Sequence, residues 1–162
     1  MIFDVKMTEK TLTDPSLSKG STDIPATSGA RVVFNGCVRN HDGGQGVTHL
    51  VYSAHPEAEK FLVKAVRDAI ELALSEDGNA VSPGASGNTT ESLDAVFVRH
   101  RIGRLEIGET ALLVVVDAPH RDAAFKVSAE IVDQIKAQVP IWKDQYFTNG
   151  SNHWSRVQGR AR

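Results

Sequence analysis

A set of cationic side chains stands where the sequence passes from one element to the next. Arg39 closes a run rich in β-formers just before the glycine-dense NHDGGQG, with His41 beyond it. His100 and Arg101 close a second such run. His120 and Arg121 lie between an apolar run and an amphipathic one, where free backbone N–H groups and a helix dipole favour an anion. Lys136 falls in the last turn of that amphipathic run, and Lys143 just past Pro140. Together these residues suit a phosphate-bearing substrate and a lysine whose pKa is lowered among other cations. Each also has a purely structural reading. Lys136 complements a helix C-terminus, Lys143 is a solvated lysine beside Trp142, and His120-Arg121 is a helix start with a surface arginine. Arg39 is an ion-pair residue, His100-Arg101 are structural, and Cys37 is a small buried hydrophobe.

Other chemistries lack their signatures. There is no HExxH, CxxC, GxxxxGK[ST], GxSxG or GxGxxG, and histidines 41, 49, 55, 100, 120 and 153 show no ligand spacing, so no metal site is expected. A single cysteine, Cys37, excludes an intramolecular disulfide. Eighteen Lys+Arg against twenty Asp+Glu give a net charge of −2, which offers no general attraction to nucleic acid or anionic membrane. The charge is uneven: residues 1–98 hold eight basic and thirteen acidic residues, residues 99–162 ten and seven. A basic C-terminal half in an acidic protein suits a local anionic ligand. The longest apolar run, Ala111–Val116, is far short of a membrane span, and MIFDVKMTEK lacks the pattern of a signal peptide. The expectation is a cytoplasmic protein whose 162 residues form one domain.

The elements that must position the cations follow from periodicity. Phe3, Val5 and Met7 alternate with polar residues as a short opening strand, within an otherwise irregular N-terminal segment, 1–28, that has room for one helical turn. Ala30–Arg39 is a strand with Val32, Phe34 and Val38 on one face and Asn35, Cys37 and Arg39 on the other. With Val47–Ala54 it is expected to form a β-hairpin whose long, mobile tip is residues 40–46. Pro56–Leu74 is a helix, with Pro56 at its first position and Ala58, Phe61, Leu62, Ala65, Val66, Ala69, Ile70 and Ala73 inward. Ser75–Ser92 reads as a flexible insertion loop. Asp94–Ile102 and Thr110–Asp117 are strands joined by a GRLEIGE turn. Arg121–Val139 is a second helix, with Ala124, Phe125, Ser128, Ile131, Val132, Ile135 and Val139 inward. Lys143–Phe147 and His153–Val157 form a last hairpin about Asn149-Gly150, and 158–162 is a tail. Two helices and mostly antiparallel strands make an α+β domain.

The segments GARVVFNGCVRNHDGG at 29–44, HRIGRLEIGE at 100–109, APHRDAAF at 118–125 and IKAQVPIWKDQ at 135–145 resemble, in this order, the large catalytic subunit of molybdopterin synthase, the MoaE family. That resemblance implies an α/β hammerhead fold and a homodimer flanked by two small ubiquitin-like subunits (MoaD type), a heterotetramer. Each small subunit would insert a C-terminal Gly-Gly thiocarboxylate into a pocket of the large one. Cyclic pyranopterin monophosphate would there receive two dithiolene sulfurs and become molybdopterin, with no permanently bound cofactor. By motif position the resemblance places pocket residues at Arg39, His120, Arg121, Lys136 and Lys143, lined by Phe34, by Cys37, Val38 and Arg39, and by Lys143, Asp144 and Gln145. Lys136 and Lys143 would be catalytic. Cys37 stands where many relatives carry a basic residue, and Arg156 and Arg160 are the two candidates for a late pocket arginine. The chain ends GRAR rather than Gly-Gly, so the sulfur-bearing tail is expected from a partner. Two competing readings are a partner-independent phosphohydrolase of acylphosphatase type and a non-catalytic binder of a ubiquitin-like tail.

Overall fold

The computed structural model describes residues 1–12, 23–75 and 92–157. Its elements are β1 (Ile2–Thr8), β2 (Ala30–Cys37), β3 (His41–Asp42), β4 (Gln45–Ala54), α1 (Ala58–Ser75), β5 (Ala95–Arg101), β6 (Gly103–Glu106), β7 (Thr110–Ala118), α2 (Arg121–Gln138), β8 (Ile141–Phe147) and β9 (Asn152–Arg156). Strands β1-β5-β7-β2 form one sheet, parallel between β1 and β5 and antiparallel elsewhere. Strands β3-β4-β8-β9 form a second sheet, and β6 pairs with β4. The α+β class expected from the sequence is the one found.

Both helices cover one face of the first sheet. Leu62, Ala65, Val66 and Ala69 of α1 and Ala124, Val127, Ile131 and Ile135 of α2 pack with Val96, Val98, Leu112, Val114 and Val116. The opposite faces of β5 and β7 are buried too, through Ala95, Phe97, Leu113 and Val115 with Leu12 against them. Burial on two faces is why β7 reads as an unbroken apolar run rather than an alternation. α2 starts from an extended His120, with Asp122 in its first turn. It stops at Val139, whose N–H reaches the Ile135 carbonyl, because Pro140 has no N–H to continue the ladder.

Several expectations are corrected. Ala30–Arg39 and Val47–Ala54 do not pair: β2 lies along β7, whereas β4 lies between β8 and β6. The buried Asp117 accepts from the Arg31 guanidinium (Nε–Oδ1 2.6 Å) and ties β2 to β7. The chain leaves the first sheet at a bulge between Gly36 and Cys37. What remains of the expected hairpin is His41-Asp42 against Gln45-Gly46, closed by Gly43 and Gly44 at φ 54° and 80°, so its tip is a tight turn, not a long one. The GRLEIGE turn contains a strand, β6. Segment 1–28 opens on β1, a full edge strand of the first sheet. α1 begins at Ala58, two residues after Pro56. Phe61 and Phe125, expected inward, are exposed because the deepest arcs centre on Leu62 and on Ala124. Residues 13–22, 76–91 and 158–162, which hold the expected helical turn, most of the insertion loop and the tail with Arg160, lie outside the described residues. Among the described residues no helix is long and apolar enough to cross a membrane.

Candidate functional site

Where the two sheets and the end of α2 meet, a cavity of about 610 Å³ opens to solvent. β2 and the bulge after it contribute Phe34, Cys37, Val38 and Arg39 to its wall. The last turn of α2 contributes Lys136, β8 contributes Lys143 and Gln145, and β9 contributes Arg156. Three cations, Arg39, Lys136 and Lys143, thus border one space, and Arg156 lies at its edge, on the face of β9 that pairing with Trp142 turns to the Asp144 side. Lys136 is carried by its buried neighbour Ile135 and makes no hydrogen bond or ion pair among the described residues. The alternation of β8 points Lys143 and Gln145 to the cavity and Asp144 away from it, where Asp144 accepts from the Asn152 side chain at 2.7 Å. Trp142 and Trp154 stack at 5.9 Å and fasten β9, hence Arg156, to β8.

One acidic residue stands among these cations. The Asp42 carboxylate lies 3.4 Å from Lys143 Nζ and 3.6 Å from the Arg39 guanidinium. A hydrogen bond from Gln145, then the charges of Lys143 and Arg39, hold the Asp42 carboxyl below its usual range against the opposing effect of burial. The floor is different in kind. His100 is 4% exposed, and its Nδ1 is 2.8 Å from the Arg101 carbonyl, which can only accept, so Nδ1 carries the proton. Burial pushes the His100 pKa down to about 4, leaving a neutral ring that meets Tyr52 edge-on at 5.4 Å. Cys37 is exposed at the wall, its Sγ 3.9 Å from the Asn35 carbonyl. A neutral, partly apolar floor under a ring of cations can bind a flat heterocycle that bears an anionic group.

Of the residues singled out in the sequence, Phe34, Cys37, Val38, Arg39, Lys136, Lys143 and Gln145 are brought together. His120 and Arg121 are not. They lie at the opposite end of α2, in a shallow depression with Gly29, Pro119 and Asp122. His100, singled out with Arg101, lies in the floor, and Arg156, one of the two candidates for a late pocket arginine, borders the cavity, whereas Asp42 and Tyr52, which complete the site or its charge balance, are not singled out in the sequence. An Asp in a glycine turn gives no signal of such a role.

The family model described as MoaE protein matches residues 7–138. The chain belongs to the MoaE family. It is 33% identical to the molybdopterin synthase catalytic subunit of Nostoc over 132 residues, covering 82% of this chain and 70% of that one. It is 32% identical to catalytic subunit 1 of Mycobacterium tuberculosis, covering 86% of each. The fold matches the crystal structure of molybdopterin synthase from Staphylococcus aureus with TM-score 0.70 and 27% identity over 93% of this chain and 96% of that one. It also matches, at TM-score 0.62 and 19% identity over 96% and 92%, a chain of the complex of subunits 1 and 2 of molybdopterin-converting factor from Helicobacter pylori. As a MoaE protein the chain is an enzyme of molybdenum cofactor biosynthesis, with the sulfur-transferring activity of a molybdopterin synthase catalytic subunit. The match to the family model stops at residue 138, before β8 and β9, so that part of the cavity rests on its geometry.

Proposed function

We propose that the cavity binds cyclic pyranopterin monophosphate together with the C-terminal thiocarboxylate of a small ubiquitin-like subunit, and moves two sulfurs from such tails to the pterin side chain. The observation that carries this reading is the convergence of Arg39, Lys136 and Lys143 on one cavity with a neutral floor. Sulfur arrives on the partner's tail, so this chain has to supply charge and position rather than a nucleophile, and Cys37 need not react. Both ligands are anionic, and guanidinium and ammonium groups are the donors that match phosphate and carboxylate-like oxygens. Lys136, free of internal partners, stabilises negative charge as it develops or transfers a proton. Lys143 and Arg39 hold the phosphate or the tail. The complex of two subunits in the Helicobacter pylori relative supports the small partner. His120 and Arg121 belong to the same site through a second copy of this chain, which makes the assembly a homodimer with one small subunit at each pocket.

Lys136→Ala tests this reading. The variant should fold and bind the thiocarboxylated partner, while single-turnover dithiolene formation falls on the order of 10²–10³-fold, as when a transition-state charge donor is removed. An unchanged product yield would return Lys136 to the role of a cation complementing the end of α2.

A further inference from the structure

Arg39 and Lys143 do not face the cavity as free cations. The carboxylate of Asp42 stands between them, with one oxygen 3.6 Å from the Arg39 guanidinium and the other 3.4 Å from Lys143 Nζ, and Gln145 donates to it as well. Both ion pairs are longer than the 2.7–2.9 Å of a tight charge-assisted bond, and all three side chains are partly exposed, so neither pair is locked. Asp42 is carried on the two-residue strand β3 and followed by Gly43 and Gly44, around which a Cβ would meet nothing within 4 Å. Lys136, on the same cavity, has no acidic partner among the described residues. A carboxylate offers the same acceptor oxygens as a phosphate or a tail carboxylate. Whatever anion approaches Arg39 and Lys143 therefore competes with one already present.

We propose that Asp42 is an internal counter-anion. It occupies Arg39 and Lys143 in the empty site, gives them up to an incoming phosphate or carboxylate, and so lowers the affinity with which such ligands are held. The inference rests on reading the cavity as an anion site. The cost of displacing Asp42 penalises an anion that engages only one cation and favours one that bridges both. It also limits how firmly a spent carboxylate is retained.

The test is a titration of the folded protein with inorganic phosphate, followed by amide chemical shifts at Lys136 and Lys143. Asp42→Asn keeps the shape and a side-chain acceptor for Gln145 but removes the charge. It should bind phosphate about three- to tenfold more tightly than the unaltered protein, the size expected for releasing two partly exposed ion pairs. Asp42→Ser should tighten binding in the same direction, which separates loss of charge from any effect of the amide. In a Lys143→Gln background the gain from Asp42→Asn should shrink, because half of the competition has gone. Equal or weaker binding by Asp42→Asn while the unaltered protein binds phosphate would overturn the proposal and leave the anion site standing. A gain of the same size in the Lys143→Gln background would also overturn it, since the effect would then be a long-range one. Absence of phosphate binding in both the unaltered protein and Asp42→Asn would overturn the anion site and the proposal together.

Discussion

At the floor of the cavity, the His100 ring is shut away from water with Nδ1 bound to the Arg101 carbonyl, and its pKa lies near 4 instead of the usual 6.5. The sign of the consequence follows from proton counting. Between pH 6.5 and pH 4 the unfolded chain binds a proton at this residue that the folded chain refuses, so stability rises with pH across that window. The contribution is complete above pH 6.5 and is lost as pH falls toward 4. It amounts to about 3 kcal/mol, because a tenfold difference in proton affinity between the two states is worth ~1.4 kcal/mol. The lowered carboxyls of Asp4, Asp42 and Glu109 act in a separate window, since their contribution is lost only as pH falls through values below the ordinary carboxylate pKa. Urea unfolding at pH 7.5 and pH 4.5 should therefore show a drop of roughly 3 kcal/mol in the unaltered protein and a much smaller one in His100→Gln. Identical drops in the two proteins would assign the acid sensitivity to other groups.

β2 and the bulge after it position one wall of the site, and the strand's approach to its neighbour is set by one glycine. A Cβ on Gly29 would stand 2.4 Å from the Pro119 carbonyl oxygen, a backbone atom that cannot swing aside, while the Gly29 N–H donates to the Ala118 carbonyl. Gly29→Ala should push the start of β2 off β7 and cost about 1–3 kcal/mol, the usual penalty of forcing atoms into a filled space. Chemical denaturation measures it, and a change within about 0.5 kcal/mol, as at an ordinary surface site, would mean that the junction relaxes freely. The same strand marks where the sequence stops being informative. Helices α1 and α2 are written locally, as apolar residues three and four apart, and they are found within a few residues of where that spacing puts them. Strand pairing is not local. Ala30–Arg39 followed by Val47–Ala54 has the outward pattern of a hairpin, yet β2 takes β7 as its partner because Arg31 meets Asp117 there and Phe34 comes over the shared core. β6 is four residues in a stretch bounded by Gly103 and Gly108, both at positive φ, and so reads as a turn. In the site, cations at element ends are legible because a strand end or helix end has a direction. Asp42 is not, because an aspartate beside two glycines looks like a turn former until Lys143, 101 residues away, is seen next to it.

On the scale of the whole molecule, α2 sets a distance that one chain cannot close. Arg121 and Lys136 are fifteen residues apart on a single helix, about 22 Å at ~1.5 Å per residue, and they border separate depressions. One small substrate cannot touch both. If both serve one pocket, they come from different copies of the chain across a two-fold axis, and each dimer has two pockets, each taking Lys136 from one copy and Arg121 from the other. Phe125, one turn beyond Arg121 and 61% exposed, is an apolar side chain available to such a contact. Arg121→Ala and Lys136→Ala homodimers should then each be inactive, because every pocket lacks one residue. When equal amounts are unfolded together and reassembled, random pairing makes about half of the dimers mixed by this two-fold geometry. In a mixed dimer one pocket receives both altered residues and the other receives neither, so ~25% of all pockets should recover activity under the same symmetry. Native mass spectrometry establishes the fraction of mixed dimers, and single-turnover dithiolene formation counts the working pockets. Mixed dimers without recovered activity would place Arg121 and Lys136 in different sites, and the basic end of α2 at His120 would then need a function of its own.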